Sequence, residues 1–310
     1  MDVSVILVNY NGNQLIVQTL DSLFASTDPH LALEVFVVDN GSTDNSVSEI
    51  RQRFPDVKIV ANATNVGFAR ANNQAINLSR GRYLLLLNPD TVVRPAAVDH
   101  VVHFMDAHPQ VGICGPKVLL PDGKLDGACR RTFKTPSTYL YHGLGLSRIF
   151  TGSPTLGRYY LSYLDPDMLT EVDSVTGAFL MIRRETVDTI GLLDERFFMY
   201  CEDEDWCFRA KKAGWKVVYN PQAEIVHHKG SSCRRRKVAM IWEWHKSVYR
   251  FHRKNLAPSY SRLGNAVVYA LIGLRLAVSL LHNGVKCFVN AMMGSYTRSA
   301  SQVDDMRAES

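Results

Sequence analysis

The chain has 310 residues, 46% of them apolar and 21% charged, with a formal net charge of +5. That balance excludes a disordered chain and suits a globular protein with a sizeable core, in one large domain or two ordinary ones. The charge is uneven: residues 1–229 hold 22 Lys/Arg against 26 Asp/Glu, and residues 230–310 hold 13 against 4, so the basic end is the part expected to meet something anionic.

"VSVILV" (3–8) has no polar alternation and reads as a strand buried on both faces. A helical pattern follows from Gln14 to Phe24, and "LEVFVVDN" (33–40) is a second strand. "GSTDNSVSEIRQRF" opens a helix behind Ser, Thr and Asp cap candidates. "VKIVAN" (57–62) is a third strand, "NVGFARANNQAINLS" a helix after a glycine turn, and "RYLLLL" (82–87) a fourth strand. This alternation predicts an α/β fold with a doubly wound, mostly parallel sheet. Ligands of such sheets sit outside the carboxyl ends of the strands. Asn9, Asp39, Asn62 and Asp90 lie at or just beyond those ends.

After Pro95 the rhythm changes. The spacing predicts a helix over 96–107, one or two short strands over 111–120, and loops with short helices over 121–170. "VDSVTGAFLMIRRE" (172–185) returns as a strand, a helix starts near Glu202 and stops before Gly214, and "WKVVYNPQAEIVHHKGSS" reads as two strands. From Lys237 onward the pattern is helical, with "AMIWEWHKSVYRFHRKNL" as one amphipathic helix.

Three stretches carry polar groups that invite chemistry, and each has a plain structural reading beside it. Asn88-Pro89-Asp90 is turn chemistry ending a strand, or a carboxylate presented where a buried strand leaves the core. The acidic run Glu202, Asp203, Glu204 and Asp205 suits the first turn of a helix, where acids favour the dipole and one caps. Its flanks, however, are Phe197, Phe198, Met199, Tyr200, Trp206 and Phe208, surroundings that can raise a carboxylate pKa as a general base needs. His227 and His228 are structural rings, or one completes an Mg²⁺ or Mn²⁺ site with carboxylates. Neighbours on a strand point opposite ways, so the two rings cannot both face one site.

The six cysteines form no C-x-x-C pair and read as reduced thiols of a cytosolic chain. "MDVSVILVNYNG" lacks the basic start and the length of a signal peptide, so the body is expected in the cytoplasm. The chain has no G-x-G-x-x-G, no P-loop motif and no G-x-S-x-G, which argues against dinucleotide enzymes, P-loop ATPases and serine hydrolases.

Six motifs appear in order: "VSVILVNYNG", "VVDNGSTDNS", "NVGFARANNQAI", "LLLLNPDT", "GAFLMIRRE" and "YCEDEDWCFRAKKAGWKVVYNP…HHKGSS". Together, over roughly residues 3–232, they resemble the glycosyltransferase family 2 enzymes of GT-A fold, most closely the bacterial rhamnosyltransferase-type branch. The resemblance implies inverting transfer of a sugar from a nucleotide-sugar donor. It places Val8, Asn9, Tyr10 and Asp39 at the nucleoside pocket and Arg70 over the base. Asn88-Pro89-Asp90 stands where the family has its D-x-D metal motif. Asn88 replaces the first Asp, so Asp90 is the expected metal ligand, Asn88 lies beside the donor, and His227 completes an Mg²⁺ or Mn²⁺ site. In the family the second residue of a Glu-Asp pair is the base, which maps to Asp203, with Glu202 as runner-up. Stretch 121–170 is read as an acceptor-facing insertion.

The division expected is a catalytic domain over 1–232 and a basic, apolar helical tail over 233–310. "GNAVVYALIGLRLAVSLLHNGVKCFV" (264–289) is borderline in length for a span. It is a helix packed on the domain, a membrane-surface or shallowly inserted helix, or a true span, the second being preferred. The cluster "CRRRK" (233–237), with Arg250, Arg253 and Lys254, suits anionic headgroups or a lipid diphosphate, and no nucleic-acid-binding fold is visible. The expected protein is thus a glycosyltransferase of cell-wall or polysaccharide biosynthesis, peripheral on the cytoplasmic face of the inner membrane. Its expected donor is dTDP-rhamnose and its acceptor a polyprenyl-diphosphate-linked or other cell-surface glycan precursor. The rivals are a nucleotidyltransferase of similar fold, which would want a Gly- and Lys/Arg-rich loop where "NYNGNQ" stands, and a non-catalytic nucleotide- or glycan-binding domain.

Overall fold

The computed structural model describes residues 1–228 and 237–308. The strand Val3–Asn9 (β1), apolar but for Ser4 and Asn9, is buried throughout, because it pairs in parallel with Leu33–Asp39 (β2) on one side and Tyr83–Leu87 (β4) on the other. Lys58–Ala61 (β3) continues the parallel set beyond β2. Helices Asn13–Ser26 (α1), Ser46–Arg53 (α2) and Phe68–Leu78 (α3) make the crossovers that parallel pairing requires.

Beyond β4 the sheet becomes mixed. Thr91–Val93 (β5), Val111–Leu119 (β6), Thr170–Glu171 (β7), Phe179–Arg183 (β8) and Lys216–His227 (β9) extend it to nine strands, in the order β3-β2-β1-β4-β8-β6-β9-β5 with β7 on β9. β8 runs antiparallel to β4 and β6, and β5 and β7 run antiparallel to β9, while β6 and β9 are parallel. Most strands therefore share one direction, as the alternating pattern predicts.

Two local expectations need correction. The two strands expected over 216–227 are one, β9. Its register on β6 jumps from Pro116 opposite Asn220 to Lys117 opposite Glu224, and the residues that bulge out include Pro221, which has no N–H for the ladder. The strand expected over 172–185 is shorter: β8 ends at Arg183, and helix Arg184–Ile190 (α7) begins there. The short β5 is not legible in its sequence.

The remaining helices are Ala97–Ala107 (α4), Pro136–Gly143 (α5), Leu146–Ile149 (α6), Glu202–Lys212 (α8), Lys237–Phe251 (α9) and Arg262–Ala308 (α10). The tail is seated on the body. Val248, Phe251, Val268 and Ile272 share a buried cluster with Tyr139, Phe197 and Cys201. Lys254 reaches Asp194 at 2.7 Å and Asp205 at 2.9 Å, and Asn255 donates to Asp205 at 2.8 Å. Beyond this contact, Arg262–Lys286 is long and apolar enough to cross a membrane by length and composition alone, with only 11% of the tested window buried. Residues 233–236 of the basic cluster lie outside the described residues.

Candidate active site

The register of the sheet brings two distant polar groups together. β4 ends at Leu87, and Asn88-Pro89-Asp90 turns the chain into β5. β5 pairs with the end of β9 so that Thr91 stands opposite His227. His227 Nε2 thereby lies 3.1 Å from Asp90 Oδ1 and 3.3 Å from Asn88 Nδ2. On the other side of the ring, Nδ1 is 3.9 Å from Asp126 Oδ2, and Asp126 Oδ1 accepts the Ala128 N–H at 3.1 Å. Burial alone would lower the His227 pKa, but the Asp126 and Asp90 carboxylates outweigh it and raise it to about 9. Positive charge is what this point favours. His228 gives its backbone N–H to the Asp90 carbonyl at 2.8 Å, and its side chain is not in the cavity wall.

The acidic run divides. Tyr200 and Cys201 both have left-handed backbones, with φ of 72° and 63°. For two successive non-glycine residues this costs about 1–3 kcal/mol each and marks a functional segment more often than a neutral turn. The bend starts α8 with its first turn at the cavity. Gly67 belongs to the same device, since a Cβ there would come within 2.8 Å of the Phe198 ring and carbonyl, at φ +92°. The Phe68 N–H donates to that carbonyl at 2.7 Å. A helix turns about 100° per residue, so four consecutive acids cannot face one way. Glu204 is buried and paired with Lys134. Asp205 is buried and paired with Arg209 and Lys254. Glu202 and Asp203 line the cavity.

These two carboxylates differ in their partners. Asp203 Oδ2 accepts from Arg131 Nη2 at 2.7 Å and the Gly177 N–H at 3.1 Å, and Oδ1 accepts the Glu204 N–H at 2.7 Å. Burial would raise its pKa, but the cations Arg131 and Lys134, with these hydrogen bonds, hold it below the usual carboxylate range. Glu202 Oε2 is buried without a hydrogen-bond partner. Burial, then the charge on Asp203, push the Glu202 pKa up. The two environments push the pair apart, lowering the pKa of Asp203 and raising that of Glu202.

The cavity has a volume of about 660 Å³. Of the residues singled out in the sequence, Val8, Tyr10, Asn88, Asp90, Glu202, Asp203 and His227 line it. Asn9, Asp39 and Arg70 do not. Asn9 Nδ2 lies 2.9 Å from Asp39 Oδ1 and 2.8 Å from Ser46 Oγ, and Asn9 Oδ1 accepts the Gly12 N–H at 3.2 Å. Asp39 Oδ2 accepts the Ser42 N–H at 3.1 Å. The two side chains brace the loops after β1 and β2 against each other instead of projecting into the cavity. The Arg70 side chain is 61% exposed, 3.9 Å from Glu195. The wall also contains residues to which the sequence assigned no role in the site: Asp126, Arg131, Lys134, Tyr159 and Tyr160 from the 121–170 stretch, and Met240, Trp244 and Arg275, the one charge of the apolar run, from the tail helices. Their only prior signal is the sequence itself, an arginine-rich turn in a stretch without period and one charge inside an apolar run.

The cavity, with Asp90, His227, Glu202 and Asp203 in its wall, lies at the carboxyl ends of β1 and β4 of a mostly parallel sheet. The mannosyltransferase PcManGT from Pyrobaculum calidifontis, solved in complex with GDP-Man and Mn²⁺, superposes with a TM-score of 0.58 at 18% identity, covering 91% of this chain and 75% of its own. Residues 4–191 match the model for Glycosyl transferase family 2, and the chain belongs to that family. The N-acetylglucosaminyl-diphospho-decaprenol L-rhamnosyltransferase of Mycobacterium tuberculosis is 30% identical over 258 residues, which is 80% of this chain and 82% of that protein. The rhamnosyltransferase WbbL of Escherichia coli is 23% identical over 259 residues, covering 80% of this chain and 92% of its own length. Five of the six motifs met in the sequence fall within or overlap the matched residues; the sixth, from Tyr200 onward, lies beyond them.

Proposed function

We propose that this glycosyltransferase moves rhamnose from dTDP-rhamnose, with inversion, to a polyprenyl-diphosphate-linked saccharide of a cell-surface glycan. The observation that carries this reading is the 30% identity, over four-fifths of both chains, to a rhamnosyltransferase whose name specifies a diphospho-decaprenol acceptor. In the proposed reaction the acceptor hydroxyl oxygen bonds to the anomeric carbon, the carbon–oxygen bond to the diphosphate breaks, and the nucleoside diphosphate leaves with the electron pair. The hydroxyl proton goes to a carboxylate of the Glu202–Asp203 pair. Asp203 is the member proposed as base, because it is ionised at neutral pH and keeps one acceptor position on Oδ1 beside its three hydrogen bonds. Arg131 keeps it charged and fixes its orientation.

Asp90 and His227 would hold a divalent ion, Mg²⁺ or Mn²⁺. Among the described residues no group of three or more His, Cys, Asp or Glu is arranged as a metal cage. One carboxylate and one imidazole nonetheless fit an ion that takes its remaining ligands from phosphate oxygens and water. Two carboxylates already favour positive charge around the His227 ring, and Asp126 stands where an outer carboxylate orients a ligating imidazole. A bound ion neutralises charge on the departing diphosphate.

The body, residues 1–232, is proposed as the catalytic unit, and the extension from 233 as the part that rests on the cytoplasmic membrane surface. Leu274, Val278 and Leu281 of α10 are 56–69% exposed, more apolar surface on one helix than a solvated face carries. Deleting everything after Pro258 would also remove Val268 and Ile272 from the buried cluster, so point changes are the cleaner test. Leu274→Ser, Val278→Ser and Leu281→Ser combined are expected to abolish co-flotation with anionic liposomes while leaving the melting temperature near wild type. Undiminished flotation of that variant would show that α10 is only a packing helix.

Donor identity is tested by thermal shift against a panel of nucleotide sugars, with and without Mn²⁺, since a ligand that binds only the native state raises the melting temperature. dTDP-rhamnose is expected to give the largest shift, and to do so with Mn²⁺ present. A larger shift with a UDP- or GDP-sugar would replace rhamnose in this reading.

A further inference from the structure

Between Gly264 and Leu281 the only charged residue is Arg275. Its guanidinium carbon lies 5.3 Å from the centroid of the Tyr139 ring and 4.8 Å from that of Trp244. From there it reaches the wall of the cavity. Gly143, at the end of α5, lies beside it: a Cβ there would be in ordinary van der Waals contact with Arg275 Nη1, at 3.7 Å. Nη1 is buried and has no hydrogen-bond partner. Buried donors are nearly always paired, and a charged one left unpaired costs more than a neutral one. Arg131 and Lys134 of the same wall are each neutralised by a carboxylate, Asp203 and Glu204, and His227 stands between Asp90 and Asp126. Arg131 Nε also lacks a hydrogen-bond partner, but among the described residues Arg275 is the wall guanidinium that no carboxylate neutralises.

The helix that carries it also carries the exposed apolar surface. Leu274 and Val278, next to and three residues from Arg275, are 62% and 56% exposed, and Leu144, next to Gly143, is 64% exposed. A cavity cation therefore sits directly beneath an apolar outer surface. A molecule with a phosphate head and a hydrocarbon tail satisfies both at once. A planar guanidinium held between two aromatic rings suits phosphate oxygens better than a point charge does.

We propose that Arg275 receives the diphosphate of the lipid-linked acceptor, and that the prenyl chain leaves the cavity along the exposed apolar face of α10. This rests on the lipid-linked acceptor of the preceding section. The donor also contains a diphosphate, so the same chemistry has two sources. The lipid is favoured because Arg275 stands on the tail helix beside apolar surface, whereas the Asp90–His227 pair proposed for the donor's diphosphate stands at the ends of β4 and β9.

The test compares binding of a C15 prenyl diphosphate, the matching prenyl alcohol and dTDP to the full chain in detergent, for wild type, Arg275→Gln and Arg275→Lys. Wild type is expected to bind the prenyl diphosphate more tightly than the alcohol. Arg275→Gln is expected to weaken the diphosphate by about tenfold or more while dTDP moves little. Arg275→Lys, which keeps the charge without the fork, should fall between the two, and it stands as the test if the Gln variant melts early. Equal loss of dTDP and prenyl diphosphate would assign Arg275 to the donor and overturn the proposal. Unchanged prenyl diphosphate binding in both variants would overturn it as well. If wild type itself binds the diphosphate no better than the alcohol, the lipid-diphosphate acceptor fails along with the role of Arg275, and the variants are not needed to show it.

Discussion

Asp203→Asn is expected to lower kcat by about 10²–10⁴-fold, the usual effect of removing a general base, while donor Kd stays within a few-fold of wild type. The expectation separates two demands on one side chain. Asp203 faces the cavity, and it also neutralises the buried guanidinium of Arg131 at 2.7 Å. Asn keeps the shape and an acceptor oxygen but not the charge. A stability loss therefore accompanies the kinetic one, since removing one partner of a buried ion pair costs about 3–5 kcal/mol. Kinetics must be read well below the variant's melting temperature, with retained donor binding as evidence of an intact site. Glu202→Gln is the companion variant. Burial and the Asp203 charge push the Glu202 pKa up and favour its neutral form, so a neutral amide is the smaller change and its effect should be milder. If Glu202→Gln is inactive while Asp203→Asn turns over within a few-fold of wild type, the base is Glu202. If both turn over normally, the proton leaves by another route and the pair is structural.

Asp90→Ala is the second large effect. It is expected to remove transfer activity, by about a thousandfold or more if the ion stabilises several kcal/mol of leaving-group charge. It should also remove any dependence of donor binding on Mn²⁺, a readout that does not require turnover. The fold should tolerate the change, because Asp90 lies in the turn between β4 and β5 and its carbonyl, not its side chain, accepts the His228 N–H. His227→Ala should act in the same direction, and Asn88→Asp, which restores a carboxylate at the first position of the motif, should tighten Mn²⁺. Wild-type turnover that persists in excess EDTA, or an Asp90→Ala variant that still responds to Mn²⁺, would remove the metal from this reading.

The sequence by itself determined the parallel half of the sheet. Short runs such as Val3–Val8, polar only at Ser4, and Tyr83–Leu87 have no polar face to offer water and the length of a strand, so they read as buried strands, and the helices between them make parallel pairing the consistent arrangement. The family was equally legible, because its motifs are short, local and ordered along the chain. The tertiary structure decided what depends on distance across the fold. Asp90 and His227 are 137 positions apart and meet only through the pairing of β5 with β9. Asp203 and Arg131 are 72 apart, and nothing in the loop-rich stretch around Arg131 signals an ion pair. Within "EDED" the sequence shows four equal acids, and only the rotation of α8 against its neighbours sends two to the cavity and two to structural cations. Asn9 and Asp39 sit at the strand ends where a ligand is expected, and their side chains hydrogen-bond to each other and to Ser46 and Ser42 of the loop and helix after β2. The tail shows the same limit. Its apolar run is long enough for several fates, and the packing of Val268 and Ile272 beneath it, with Leu274, Val278 and Leu281 left exposed, separates the face that rests on the body from the face that does not. A one-dimensional pattern records which side chains avoid water, whereas which partner each polar group meets is settled by backbone geometry accumulated over many elements.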